Sequence, residues 1–167
     1  RPVIIQGLGI KISKTEDLLL EICEKYKIPV VTTKNGYDNI PHEFMYYGGS
    51  IGINGQRSGN LTVQNADLII TLGSRLALVS VGYNTELFAP QAKKIIVDID
   101  TPQLEHCHIS NDLSVYADLK DFMPEFAKKL EDEKFSYDSN FWVNKVQGYR
   151  KKYPVVTDKV RKQNKYV

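Results

Sequence analysis

Cysteine is nearly absent from the 167 residues: only Cys23 and Cys107 occur, with no CxxC pair and no histidine at ligand spacing. That excludes a disulfide framework and a zinc site, and leaves both as small apolar side chains or ordinary thiols. Glycine and proline are sparse, at 11 and 7, which excludes collagen-like and low-complexity chains. No apolar run approaches the ~20 residues that a membrane span needs. The longest, Asp67-Leu68-Ile69-Ile70-Thr71-Leu72-Gly73, has the length of a strand. There is no GxxxxGK[ST] phosphate loop. The three histidines, His42, His106 and His108, fall in loop-like stretches without a Ser/Asp or Cys arrangement that spacing can assemble. His106-Cys107-His108 offers metal-ligand types, but adjacent positions in an extended segment point to opposite sides, which favours a solvated loop. Neither a catalytic residue nor a metal ligand is therefore assigned. A signal peptide is also missing, and Arg1-Pro2-Val3 enters a strand with no start Met. The expectation is a cytoplasmic chain cut from something longer.

What is present is the balance of a soluble globular chain: 42% hydrophobic and 25% charged residues, with a mean hydropathy of −0.33. The steady supply of Val, Ile and Leu excludes disorder, and the length suits one domain. Charge is unevenly spread. Residues 1–133 carry 13 basic and 18 acidic side chains, a net −5, while residues 134–167 carry 9 and 2, a net +7. A basic tail can mark nucleic-acid binding. Here Lys145, Arg150, Lys151 and Lys152 fall between apolar positions at helical spacing, so a solvated helix face or linker is expected, with no nucleic-acid or membrane partner.

Strand and helix patterns alternate along the chain. Residues 2–6 form a β-branched run ending at Gly7-Leu8-Gly9. Ser13-Lys14-Thr15-Glu16 has capping-box spacing, and Leu18, Leu19, Ile22 and Tyr26 follow as an apolar stripe that Pro29 closes. Val30-Val31-Thr32-Thr33 predicts the next strand, and residues 34–60 read as loop with a short strand at 46–48. A helix is predicted over 60–66 and strands over 68–72, 95–99 and 114–116. Asp118 caps a last helix carrying Leu119, Phe122, Phe126 and Leu130, in which Pro124 should lie outside the hydrogen-bonded interior or bend the axis. Beyond residue 133, a helix with Trp142, Val146 and Tyr149 on one face precedes a linker over 157–167. Strands this continuously apolar, alternating with helices, predict a doubly wound α/β fold. Its mostly parallel sheet has about six strands and helices on both faces, the Rossmann-like topology.

In such a sheet, ligands bind beyond the carboxyl ends of the strands. The residues predicted there are Gly7 and Gly9, Thr33-Lys34-Asn35, the glycine-rich stretch through Gly52-Ile53-Asn54-Gly55, Gly73-Ser74-Arg75, and Asp98-Ile99-Asp100. Glycine admits a pyrophosphate to the backbone, arginine donates bidentately, and a strand-end carboxylate accepts ribose hydroxyls. Each has a plainer alternative. Gly7-x-Gly9 lacks the third glycine of GxGxxG and serves as a tight turn. Asp98 or Asp100 suits a helix cap, and Arg75 half of a salt bridge.

Taken in order, Thr32-Thr33-Lys34-Asn35-Gly36, Gly52-Ile53-Asn54-Gly55, the run from Val63 through Asp67-Leu68-Ile69-Ile70 to Arg75-Leu76, Phe88-Ala89-Pro90-Gln91-Ala92 and Val97-Asp98-Ile99-Asp100 form a specific series. Over about residues 1–130 it resembles the central domain of thiamine-diphosphate-dependent enzymes, nearest their acetolactate synthase-like branch. The resemblance implies a parent with thiamine diphosphate and magnesium on flanking pyrimidine- and diphosphate-binding domains. That parent would act on 2-oxo acids or related carbonyls and assemble as a homodimer or homotetramer. Residues 1–133 would be the central domain, and 134–167 a helix and linker toward the diphosphate-binding domain. Alone, the chain would catalyse nothing. The implied middle-domain ligand is FAD, ADP or none. Gly7 and Gly9 would lie near its pyrophosphate, Thr33-Lys34-Asn35 along an isoalloxazine, and Gly52 to Gly55 on the family's glycine loop. Gly73 to Arg75 would form the glycine–arginine turn, with Asp98 to Asp100 and Asp118-Leu119 at the adenosine. Ile53-Asn54 and Leu76-Ala77-Leu78-Val79 depart from the synthase pattern of Met-His and Phe-Asp-Asp-Arg, which counts against flavin more than against a nucleotide. The rival readings are a structural assembly domain with an empty cleft and an independent NAD-binding module. Cut free, the chain would expose Trp142, Tyr149 and Tyr153 as surface meant for the flanking domains and would self-associate weakly.

Overall fold

A computed structural model describes the backbone of residues 1–162; the last part of the expected linker, 163–167, lies outside the described residues. Six strands form one sheet: β1 (Pro2–Gln6), β2 (Val30–Thr32), β3 (Tyr47–Ser50), β4 (Leu68–Leu72), β5 (Lys93–Asp98) and β6 (Leu113–Tyr116). All pairings are parallel, in the order β3-β2-β1-β4-β5-β6. The chain winds outward from β1 to one edge, returns beside β1 as β4, and winds out to the other edge. Strand order therefore reverses between β1 and β4. The fold is the doubly wound α/β type that the apolar runs predict.

Helices α1 (Leu8–Ser13), α2 (Glu16–Lys25) and α6 (Leu119–Asp132) cover one face, and α3 (Arg57–Gln64), α5 (Thr101–Glu105) and α7 (Ser139–Lys152) the other; α4 (Leu78–Val81) and α8 (Asp158–Lys162) are short. Alternation along β1 divides its side chains: Val3 and Ile5 enter the core with Val63, Ile69, Ile96 and Trp142, while Ile4 joins Ile10, Leu19, Leu72 and Met123. Burying both faces explains why β1 reads as Pro-Val-Ile-Ile-Gln without polar alternation.

Several local readings change. The capping box does not form, because residues 8–13 are already helical. Ser13 ends α1, its hydroxyl donating to the Ile10 carbonyl (3.0 Å) and pairing with that of Thr15 (2.8 Å). Lys14 then turns left-handed (φ 56°), and Thr15 caps α2 without a side-chain bond. The third helix starts at Arg57 rather than at 60. Strand β3 runs past the expected 46–48 to take in Gly49 and Ser50. Pro124 lies inside α6, where it withholds an amide from the preceding turn. Asp118 caps α6 as expected, accepting from the Lys120 amide at 2.9 Å.

Trp142 overturns an expectation outright. It is fully buried rather than held out for a flanking domain, and its indole N–H donates to the Pro2 carbonyl at 2.8 Å. Tyr149 and Tyr153 are half-buried. Helix α7 thus packs against α3 and β3 as part of the sheet's cover. Truncating Trp142 to alanine should cost about 3–5 kcal/mol. Trp142→Phe, which leaves the Pro2 carbonyl unpaired, should cost about 1–3 kcal/mol. Urea unfolding followed by far-ultraviolet circular dichroism measures both, since this is the one tryptophan in the sequence.

Candidate functional site

A cleft of about 830 Å³ opens at the carboxyl ends of β1, β2, β4 and β5, astride the reversal of strand order. Its floor is made by two turns in contact. The Gly7 amide donates to the Leu72 carbonyl and the Gly9 amide to the Gly73 carbonyl, each at 3.0 Å. A Cβ on Gly9 would stand 2.6 Å from the Gly73 Cα, and one on Gly7 would strike the Gly73 carbonyl and Ser74. Gly73 also has φ +57°. These glycines answer first to each other, since only a chain without Cβ atoms lets the turns after β1 and β4 meet.

One wall is the 3₁₀ turn Lys34–Gly36, held by a buried side chain that the sequence reading passed over. The side chain of Gln6, at the end of an otherwise apolar strand, donates to the Gly36 carbonyl (2.5 Å) and accepts from the Asn39 side-chain Nδ2 (2.8 Å). Its polarity at that place in Pro-Val-Ile-Ile-Gln was the available signal. Outside the cleft, Lys11 of α1 pairs with Asp38, just past this turn, at 2.5 Å; this hydrogen bond raises the lysine pKa and lowers that of the aspartate.

The opposite wall starts at Gly73-Ser74-Arg75. Asp98, buried at the end of β5, accepts from the Asp100 amide at 3.0 Å. Asp100 caps α5 and sets its other oxygen 3.5 Å from Arg75 Nη2, while Gln103 donates to the Arg75 carbonyl at 3.2 Å. Arg75 remains 77% exposed at the rim. Its pairing with Asp100 is the structural alternative the sequence left open, in a weak, solvated form. Among the described residues, the backbone amides of Ser74 and Arg75 donate to no protein acceptor. They leave two donors beside a guanidinium.

Of the positions expected at a ligand, Gly9, Thr33, Lys34, Asn35, Gly73, Ser74, Arg75, Asp98, Ile99, Asp118 and Leu119 line this one cleft. Gly7 lies beneath it and Asp100 behind Arg75. Gly52, Ile53, Asn54 and Gly55 are not among its lining residues. Their loop is clasped by Asn60, which bonds both the amide and the carbonyl of Gly52, and the Ile53 amide donates to the Val79 carbonyl at 2.9 Å. The loop therefore props the segment 76–80, whose Leu76, Ala77, Val79 and Ser80 do line the cleft. Those residues, with Leu8, Ile12 and Lys14, were missed because α1 and the 76–80 turn carry no recognisable spacing.

Among the described residues, no three His, Cys, Asp or Glu side chains gather to hold a metal ion, and no helix is long and apolar enough to cross a membrane. Cys23 is fully buried, and burial pushes its thiol pKa far up, away from nucleophilic chemistry.

An all-parallel sheet in this order, with its cleft at the reversal, defines a doubly wound α/β domain of Rossmann-like topology. Comparison with known families makes the assignment narrower. The family described as "Thiamine pyrophosphate enzyme, central domain" matches residues 1–126, and the chain belongs to it. It is 33% identical over 156 residues to the acetolactate synthase large subunit of Lactococcus lactis, covering 92% of this chain and 26% of that protein. Identity is 30% over 151 residues to a probable acetolactate synthase large subunit of Methanocaldococcus jannaschii, covering 90% and 25%. With the large subunit of acetolactate synthase isozyme 2 from Escherichia coli it is 28% over 131 residues, covering 78% and 23%. The chain spans about a quarter of the length of the curated relatives it matches.

The floor contact is directly testable. Gly9→Ala and Gly73→Ala should each destabilise the ligand-free domain by at least about 2 kcal/mol, through backbone clash and, at Gly73, left-handed strain. At about 2–4 °C per kcal/mol for a domain of this size, calorimetry resolves the loss.

Proposed function

We propose that this chain is the central domain, residues 1–133 with a helix and linker beyond, of an acetolactate synthase-like enzyme acting on 2-oxo acids or related carbonyls. Its cleft takes an adenine nucleotide, FAD or ADP. The observation that carries the reading is the convergence at the switch point of two unpaired backbone amides, Arg75 and Lys34 around a cleft of 830 Å³. That volume lies within the ~300–1,000 Å³ range of small-molecule sites. Ser74 and Arg75 would meet the diphosphate, Asp98 and Asp118 the adenosine end, and Thr33 to Asn35 the far end. Bound FAD would supply a redox-active ring; ADP would supply none.

Thiamine diphosphate and magnesium belong, in this reading, to the flanking pyrimidine- and diphosphate-binding domains of a cytoplasmic homodimer or homotetramer. The chain has no acidic cluster of its own for the metal among the described residues. An enzyme of the relatives' full length should turn over 2-oxo acids only with both cofactors added, and the 167-residue chain should show no turnover.

Binding is tested by thermal shift and calorimetric titration with FAD, ADP and NAD. At one hundred times Kd, a nucleotide that binds the folded state should stabilise it by about 2.7 kcal/mol. Because the glycines are already engaged with each other, an empty structural cleft is the competing reading. No shift with any of the three would establish it, and a shift with NAD alone would indicate an independent NAD-binding module.

Arg75→Ala separates ligand binding from structure. A charge-assisted bond to phosphate contributes about 1.5–3 kcal/mol, so affinity for the bound nucleotide should fall roughly tenfold to a hundredfold. Ligand-free stability should change by less than about 1 kcal/mol, because the pair with Asp100 is solvated.

A further inference from the structure

A second recess, of about 590 Å³, lies outside the cleft, beside edge strand β3. It is bounded by Tyr37 and His42 before that strand, by Gln56 and Ser58 after it, and by the last turn of α7. Its central cation is Arg150, half-buried and held by backbone oxygen rather than by a carboxylate. Nη2 donates to the His42 carbonyl at 2.5 Å and lies 3.5 Å from His42 Nε2, while Nη1 donates to the Phe44 carbonyl at 3.5 Å. The guanidinium sits 5.5 Å from the centre of the Tyr47 ring.

Two more cations flank it. Lys151 lines the recess, and the Arg57 guanidinium lies 4.6 Å over the ring of Tyr153, part of its wall. Among the described residues, none of the three is within ion-pairing distance of an acidic side chain; the pairs that do form involve Arg1, Lys11, Lys25 and Arg75. Burial pulls the Arg150 pKa down, against smaller opposing effects of Tyr47 and Glu43. A guanidinium partly removed from water, fixed by carbonyls that leave its charge unneutralised, favours an anion. Its Nε–H is uncommitted among the described residues, and the phenol of Tyr37, which accepts from Gln56 at 3.4 Å, keeps its own proton free to donate. Pro154, Val155 and Val156 add an apolar wall.

We propose that this recess is an oxyanion site, taking the phosphate or carboxylate group of a small molecule, with Arg150 at its centre and Lys151 and Arg57 at its rim. The site is separate from the cleft and does not depend on what the cleft holds.

The test is titration of the ¹⁵N-labelled 167-residue chain with inorganic phosphate and, separately, with succinate, at constant ionic strength balanced with sodium chloride. Amides of Gln56, Ser58, Gln147 and Lys151 should shift and saturate together, with a Kd on the order of 1–10 mM, and any response of Gly9 or Ser74 in the cleft should follow its own separate saturation curve and be unaffected by Lys151→Ala. The anion that saturates identifies the phosphate or the carboxylate as the recognised group. Lys151→Ala and Arg57→Gln should each weaken binding by about threefold. Arg150→Lys, which keeps charge but loses the planar fork, should weaken it by about tenfold or more. Should Arg150→Lys fail to fold, the two rim variants and the shift map decide alone. Shifts that never saturate, that chloride reproduces, that scatter over the lysine-rich surface, or that the rim variants leave unchanged would overturn the assignment.

Discussion

The contact between the turn after β1 and the turn after β4 governs the geometry of this protein. Neighbouring parallel strands stand close enough that their exits compete for space, and here the competition is resolved by Gly7, Gly9 and Gly73. Because those turns touch, the chain after β1 can start α1 at once, and the chain after β4 is directed outward through Ser74 and Arg75. The cleft is what remains above the junction. Leu119, whose side chain would lie 2.8 Å from a Cβ on Gly73, closes the same junction from α6. One close approach between backbones thus links sheet topology, the start of two helices and the shape of the candidate site.

Much of this was legible in the amino-acid order, and the parts that were not share a cause. Strands β1, β4 and β5 are read from continuous apolar runs because burial on both faces removes polar alternation. The strand-end positions that line the cleft follow from topology, which the alternation of strand and helix already implies. Residues 8–13 were not legible as a helix, since one and a half turns carry too little periodicity to stand out. Gly49 fell outside the expected strand, yet it lies in β3 opposite Val31, where a Cβ would strike Gln56 and Ser58. The loop Gly52–Gly55 was expected at the ligand both from its glycines and from resemblance, and its hydrogen bonds run to Asn60 and Val79. Gln6 and Asn39 were missed, and Trp142 was misplaced at the surface, for a single reason: their partners lie 30 to 140 residues away, and spacing along the chain says nothing about them.

The two flanks of the sheet also differ in how they handle charge. On the β5–β6 side, Asp98, Asp100 and Asp118 are each tied to a nearby amide as turn or cap acceptors, so acidic groups hold the walls in place. Beside β3, carbonyl groups of His42 and Phe44 hold a cation instead. The basic surplus of residues 134–167 is therefore not only a solvated helix face: Arg150 is built into the fold, pinning α7 to the segment that leads into β3.

The bond from Trp142 to the Pro2 carbonyl spans 140 residues, and it sets a timetable for synthesis. Among the six strands of this sheet, β1 is made first and waits longest for its cover. Its second neighbour, β4, is complete only at residue 72, and the indole that seals its other face emerges another 70 residues later. At about 5–20 residues per second, Val3 and Ile5 stay without their full packing for roughly 7–28 s. The edges of β1 are free only until β4 is made, but its apolar face stays uncovered for the whole interval, a ready partner for a second nascent copy or a chaperone. Within this sheet, the central strand is thus the first made and the last fully covered.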